Sequence, residues 1–181
     1  IPNLVVYDPT EDLLQLKESE GNLYYRTDTH WNAKGAFLAY LNFSQLLNVP
    51  TPNVHFQLGD SYQGDLINIS GQKGFDLHKD DNWQFTIDDQ KHVVRTNSQK
   101  NYEPAFGAIE VVDNPNALSS LSIWVVGDSF THALRPYFNA TFKQVNYLGH
   151  LSAKLDNLQA DLETIDNKPD LIIIIKVERS F

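Results

Sequence analysis

An α/β fold, built as a parallel sheet with helices on both faces and carrying a β-rich insertion, is predicted by three observations. The last third contains continuous apolar runs, "LSIWVV" (Leu121–Val126) and "LIIIIKV" (Leu171–Val177), of strand length and without polar alternation. Strands buried on both faces of a parallel sheet read this way. Stretches with helix-start signals lie between these runs. From Thr51 to Ser120 the texture changes, with Gly, Asn and Asp punctuating short β-like segments. One domain spanning 1–181, with 51–120 as the insertion, is the expected organisation.

The elements follow in order. "LVVYD" (Leu4–Asp8) reads as a short buried strand. Asp8 as N-cap, Pro9 at the first helical position and Glu11 three residues after the cap predict a helix that runs to about Ser19 and stops before Gly21. Phe37, Tyr40, Leu41, Ser44 and Leu47 fall on one face of a second helix, with Asn32 as its cap and "NVP" at its end. In the insertion, "WQFTI" (Trp83–Ile87), "HVVRT" (His92–Thr96) and "GAIEVV" (Gly107–Val112) read as strands, and "IDDQKH" between the first two reads as a hairpin turn. The strand Leu121–Val126 leads to a helix from about Phe130. A strand at Gln144–Leu148 precedes a helix from Ser152 to about Ile165, and "KPD" turns into the last strand.

Composition excludes several classes of function. Hydrophobic residues make up 41% and charged residues 20% of 181 residues, the balance of a globular protein with one well-formed core. A net charge of −9 and singly scattered Lys and Arg leave no basic stripe for nucleic acid and no polybasic membrane patch. No apolar run approaches bilayer length. Cysteine is absent, which removes thiolate chemistry and Cys-type zinc sites. The chain starts at Ile1 without a signal-peptide pattern, as expected of a piece of a longer precursor.

Two short stretches carry the chemistry. In "VVGDSF" a strand ends at Val126, Gly127 permits a tight turn, and Ser129 opens a helix at the carboxyl edge of the sheet. There the helix dipole and the Ser129 N–H can stabilise a developing oxyanion. Alternatively, Asp128 or Ser129 simply caps the helix. In "YYRTDTHWNAKG" Asp28 and His30 stand two apart, so an extended backbone places both side chains on one side and lets the carboxylate hold one imidazole nitrogen. Serine needs such a base, and the base needs an orienting acid. A loop histidine beside an Asx turn is the plain alternative. A metal site has less support, because no ligand spacing of the H-E-x-x-H kind accompanies the pair. Of the other histidines, His132 would have to reach back along its own helix and is expected to line the pocket. His150 follows the next strand, and His55, His78 and His92 read as insertion or surface residues.

"YYRTDTHWNAKGAFLAY" resembles the Asp-x-His-Trp signature of the SGNH-hydrolase-like O-acetyltransferases that acetylate secreted polysaccharides, alginate among them. "VVGDSF", about a hundred residues later, resembles that family's nucleophile motif. "YQGDL" (Tyr62–Leu66) and "KPDLIIIIKVERS" (Lys168–Ser180) are similar to its Gly-Asp-Leu element and its final strand ending in Glu-Arg. The resemblance covers most of the chain. It implies Ser129 as acyl-accepting nucleophile, His30 as general acid/base and Asp28 as its orienting carboxylate. The motif order is permuted relative to ordinary SGNH hydrolases, which a triad defined by geometry tolerates. Separate Gly and Asn oxyanion blocks have no clear counterpart; Asn146 and Gly149 are the nearest. No cofactor is implied. The expected partners are a polysaccharide acceptor and an acetyl donor relayed by a membrane acyltransferase, in the periplasm or at the outer cell surface. A carbohydrate esterase with the same triad, or a non-catalytic polysaccharide-binding module, fits the same motifs.

Four further residues are candidate substrate contacts. Trp31 could stack on a sugar ring or act as a hydrophobic staple. Arg26 could bind an anionic sugar or pair with an acidic neighbour. Asp128 and His132 flank Ser129. Glu178 and Arg179 could shape the pocket wall or form scaffold salt bridges.

Overall fold

The computed structural model describes residues 4–71, 80–88, 92–96, 110–148, 158, 162–163 and 168–177. The chain divides into two compact units, Ile1–Val49 with Asn53–Thr86 and Pro50–Pro52 with Ile87–Phe181. No helix among the described residues is long and apolar enough to cross a membrane.

The first unit holds helices α1 (Thr10–Glu20) and α2 (Ala33–Leu46), strand β1 (Val54–Leu58), the short helix α3 (Asp65–Ser70) and strand β2 (Trp83–Ile87). Helix α1 starts two residues after Asp8, whose Oδ1 accepts from the Thr10 amide (2.9 Å) and hydroxyl (2.6 Å). It stops where Gly21 takes φ +81°, as expected. The cap of α2 is Asn32, as the sequence predicts. Its Oδ1 accepts from the Gly35 amide at 2.9 Å, and its Nδ2 donates to the Asn22 and Asp81 carbonyls at 2.7 and 2.9 Å. The buried face of α2 is Gly35, Ala36, Ala39, Tyr40 and Ser44. Small residues let this helix approach closely: a Cβ on Gly35 would run into the Leu23 carbonyl.

Two expectations for this region are corrected. Leu4–Asp8 is not a strand, and Leu4, Val5 and Val6 are 66, 52 and 82% exposed. An apolar run becomes a strand only beside a sheet edge with matching register, and none is paired with it here. The strands flanking "IDDQKH" are not the two arms of a hairpin either: among the described residues β2 pairs with β1 in a two-stranded sheet and Val93–Thr96 belongs to another sheet, while residues 89–91 of the turn lie outside the described residues. Phe37, Phe56 and Phe85 explain the choice: their rings follow one another at 5.5 and 6.0 Å between centroids, from α2 through β1 to β2. That distant aromatic packing outweighs closeness in sequence.

In the second unit, β3 (Val93–Thr96), β4 (Glu110–Asp113), β5 (Ser119–Gly127), β6 (Phe142–Tyr147) and β7 (Leu171–Ile175) form one sheet in the order β3-β4-β6-β5-β7. β6, β5 and β7 are mutually parallel, while β4 and β3 extend the sheet antiparallel. The parallel core is the one expected. The tail of the supposed insertion contributes strands to this sheet instead of lying over it.

Register explains the covering of both faces. Val112, Val145 and Ile123 align across the sheet, and Val125 aligns with Tyr147 on the same side. Tyr147 donates to Asn139 Oδ1 (2.7 Å) on helix α4 (Thr131–Thr141), so α4 covers that face. Val111, Asn146, Trp124 and Ile172 align on the other side, where Leu158 and Leu162, four residues apart, pack on the Val111–Trp124–Val126–Leu148 cluster. Leu158 and Leu162 are helical positions inside the span predicted for the helix after Ser152. Ser152 itself lies outside the described residues.

Replacing Asn32 by Ala should lower unfolding stability by about 2–3 kcal/mol in urea titrations, since a helix cap is lost, the buried Asp81 carbonyl loses the Nδ2 donor and the Asn22 carbonyl keeps the 3.3 Å bond from Trp83 Nε1. Asn32→Asp, which keeps the acceptor but turns a carboxylate oxygen toward those two carbonyls at a 0% exposed position, should cost at least as much as Ala.

Candidate active site

The loop carrying Asp28 and His30 is closed at its base. Tyr24 and Trp31 form an antiparallel bridge, the Tyr25 amide donates to the His30 carbonyl (3.3 Å), and the Asn32 amide donates to the Leu23 carbonyl (3.0 Å). Asp28 and His30 lie in a bend between these closures, not on the extended segment that sequence spacing suggested. The Asp28 Oδ1 accepts from the His30 amide at 3.0 Å, an Asx turn, and also meets the His30 Nδ1 at 2.6 Å. The turn is therefore the device that aims the ring, and the Asx turn offered as the plain alternative is the local geometry observed.

Asp28 Oδ2 is held from another part of the chain. The Asp65 amide donates to it at 3.1 Å and the Tyr62 hydroxyl at 3.3 Å. Asp65 returns the grip on the loop: its Oδ1 accepts from the Thr29 amide (2.9 Å) and its Oδ2 from the Thr29 hydroxyl (2.8 Å). Thr27 completes the clamp. It donates its hydroxyl to the Tyr62 carbonyl at 3.0 Å and accepts from the Gly64 amide at 3.1 Å, while its carbonyl takes the Leu66 amide at 3.0 Å. So close an approach demands glycine at 64, because a Cβ there would collide with the Thr27 carbonyl and the Asp28 Cβ. "YQGDL" was recognised in sequence as an element, but the role of Tyr62 and Asp65 was missed. No local spacing reports a contact made 34 to 37 residues away.

The electrostatics follow from these bonds. Burial works to raise the Asp28 carboxyl, which is 9% exposed. The His30 ring, the His30 amide and the Asp65 amide overcome this and hold it below the ordinary carboxylate value. Burial and the nearby Asp28 charge push the Tyr62 phenol up, with its bond to Asp28 and the Asp65 charge adding to the shift. Tyr25, whose ring lies 4.3 Å from that of Tyr62, is pushed up to about 12, by burial first and then by Tyr62, Asp28 and Asp81.

Asp28, His30 and Asp65 bring potential metal-ligand atoms within 4.8 Å of one another. Yet both oxygens of each carboxylate already accept from N–H or O–H donors. Asp28 has two donors on each oxygen, whereas each Asp65 oxygen, with one bond from Thr29, keeps a lone pair.

In the second unit, Ser129 is exposed in the turn between β5 and α4, flanked by buried Asp128 and Phe130. Asp128 anchors this turn: Oδ1 accepts from the Phe130 amide (2.9 Å) and Oδ2 from the Val177 amide just beyond β7 (2.7 Å). The Thr131 amide donates to the Asp128 carbonyl and that of His132 to the Ser129 carbonyl. The amides of residues 130, 131 and 132 are thus engaged within the turn. Gly127 is packed so that a Cβ would meet the Thr131 side chain.

The remaining candidates are placed as follows. Trp31 is 7% exposed, the position of a staple beside the α2 cap. Arg26 pairs with Asp80 through two hydrogen bonds, Nε–Oδ1 at 3.1 Å and an Nη–Oδ2 contact at 2.7 Å. His132 is exposed on the first turn of α4. Asn146 lies within the sheet, level with Trp124 and 2% exposed. His55 and His92 are exposed, whereas His78, Gly149, His150, Glu178 and Arg179 fall outside the described residues.

A family model described as "SGNH hydrolase-like domain, acetyltransferase AlgX" matches residues 3–158. The chain belongs to this family. Solved structures agree on the fold. The O-acetyltransferase domain of Pseudomonas putida AlgJ aligns with TM-score 0.50 and 18% identity, over 99% of this chain and 64% of that one. Bacillus cereus PatB1 with a sulfonyl adduct aligns with TM-score 0.60 and 18% identity, over 94% and 66%. A DHHW family protein from Eubacterium siraeum aligns with TM-score 0.57 and 14% identity, over 87% and 60%. The chain thus spans under two thirds of the length of these structures. No curated protein matches it in sequence.

Gly64→Ala should cost about 1–3 kcal/mol in denaturant titrations, as an added Cβ forces the clamp off Thr27 and Asp28. Acid unfolding tests Asp28. Its folded pKa lies below its unfolded one, so its stabilisation is complete above the unfolded value near pH 4 and is lost as pH falls through the folded value. The exposed Asp8 and Asp170 are lowered by their own hydrogen bonds and act in the same direction. Unfolding free energy should therefore drop on acidification below about pH 4, and less steeply in Asp28→Asn. An unchanged slope would mean that Asp28 does not hold its charge preferentially in the folded state.

Proposed function

We propose that this chain is an O-acetyltransferase that carries an acetyl group through an acetyl-Ser129 intermediate onto hydroxyls of a secreted or cell-surface polysaccharide. The 2.6 Å bond between Asp28 Oδ1 and His30 Nδ1 carries this reading, because it fixes the ring and assigns Nε2 to proton transfer. Family membership supports the acetyl group as the one moved.

In the first half-reaction, His30 Nε2 takes the hydroxyl proton as Ser129 Oγ bonds to the acetyl carbonyl carbon. The carbonyl oxygen becomes an oxyanion, facing the Ser129 N–H and the positive end of α4. Collapse breaks the bond to the donor, and His30 returns the proton to the leaving group. In the second half-reaction a sugar hydroxyl attacks the acetyl-serine, His30 takes its proton, and Ser129 leaves with that proton restored. No cofactor enters. The donor is an acetyl group relayed by a membrane acyltransferase, and the work is done in the periplasm or at the outer surface. Arg26 and His132, both exposed, are proposed to border the acceptor, while buried Trp31 and Asp128 act through the scaffold.

Incubation with a nitrophenyl acetate, with and without an oligosaccharide, tests this by mass spectrometry of the Ser129 peptide. The acetyl adduct should require His30 and discharge faster to sugar than to water, and Ser129→Ala or His30→Ala should lose about four orders of magnitude in turnover. Fast turnover indifferent to sugar would make the protein an esterase. Undiminished transfer by Ser129→Ala would overturn the triad.

A further inference from the structure

We infer that Tyr62 is a positioning residue for the Asp28–His30 pair, its hydroxyl holding the carboxylate oxygen that the histidine does not use. The inference rests on the triad reading above and adds a fourth member to it, drawn from a loop that sequence spacing does not connect to the motif.

The geometry divides Asp28 cleanly. Oδ1 serves His30 twice, through the ring at 2.6 Å and the amide at 3.0 Å. Oδ2 serves the clamp, through the Asp65 amide at 3.1 Å and the Tyr62 hydroxyl at 3.3 Å. A carboxylate held at one oxygen alone can swing about its Cβ–Cγ bond and carry the imidazole contact with it. Two donors on the far oxygen fix that torsion. The phenol is itself braced by its ring, stacked 4.3 Å from Tyr25 at an interplanar angle of 31°. The Tyr62 carbonyl accepts the Thr27 hydroxyl, so the residue is tied to the loop at both ends.

The hydroxyl also takes a share of the negative charge. Without it, Asp28 would present a less well satisfied carboxylate to the His30 ring. The other titratable groups around this pair are Asp65 on α3, Tyr25 on the motif loop, and Asp81, which acts on Tyr25. All but the phenols are carboxylates. A neutral donor is therefore the kind of group that can quiet Asp28 without adding a further negative charge.

Tyr62→Phe removes the hydroxyl and keeps the ring, so the stack on Tyr25 is retained. The expected result is a drop in kcat for acetyl-Ser129 formation of about five- to tenfold, with KM for the acetyl ester unchanged. The acidic limb of the kcat profile should move, a readout that a merely structural loss would leave in place. Circular dichroism and the urea midpoint establish that the variant is folded. Asp65→Asn, whose side-chain oxygen can still accept from Thr29, should retain more activity than Asp65→Ala, both variants keeping the backbone amide donor to Asp28. Ser129→Ala and His30→Ala run alongside as the test of the triad itself. If they are inactive while Tyr62→Phe matches wild type in rate and in pH profile, Tyr62 has no positioning role. If they remain active, it is the triad reading that falls.

Discussion

A buried carboxylate is tolerable only where donors surround it, and Asp28 meets that condition by drawing on three places in the chain at once. His30 supplies a ring nitrogen and an amide, Asp65 an amide, and Tyr62 a hydroxyl. Each donor fixes the element that carries it. The motif loop closes on itself because His30 must fold back to Asp28, and the start of α3 docks because Asp65 must reach Oδ2. Gly64 is then required because the approach leaves no room for a side chain. The constraint that places the proposed base is thus the one that organises its surroundings. Changes that loosen the loop should be felt in chemistry before they are felt in fold.

The second unit applies the same logic to a turn. Asp128 is buried with both oxygens committed, one to the Phe130 amide and one to the Val177 amide. It ties the end of β5 to the residue just past β7, two strands that already run parallel in register. Ser129 follows directly, and with Asp128 and Phe130 both buried it has nowhere to go but outward. An exposed serine on an anchored turn is a consequence of this packing. The amides at 130, 131 and 132 are each engaged within the turn, so in the proposed reaction α4 contributes through its dipole.

What could be read in the sequence was what is local. The Asn32 cap, the stop at Gly21, the strand–turn–helix around Ser129 and the parallel core each depend on a few neighbouring residues, and each is where the pattern places it. Nonlocal partners defeated the pattern elsewhere. "LVVYD" has the composition of a strand but no edge to join. Trp83–Ile87 had a plausible hairpin partner nearby and chose β1, because Phe56 and Phe37 lie there to receive Phe85. The pairing of Asp28 with His30 was legible, though through the wrong local geometry, since an Asx turn rather than an extended strand brings them together. Tyr62 and Asp65 were legible as a motif and silent as to role, because a hydrogen bond across more than thirty residues leaves no periodicity behind.

This division between local and distant bears on the choice of acceptor. Water and a sugar hydroxyl are both O–H nucleophiles, and a single histidine nitrogen can deprotonate either. The triad therefore does not select between them. Selection requires the sugar to be held so that its hydroxyl outcompetes water, and each tenfold preference asks for about 1.4 kcal/mol of binding expressed in the transition state. Two or three well-placed hydrogen bonds supply that much. Substitutions at exposed residues such as His132 and Arg26 should accordingly alter the partition of the acetyl group more than the rate at which Ser129 acquires it. Substitutions in the Asp28 clamp should do the reverse, slowing both half-reactions together and leaving their ratio intact.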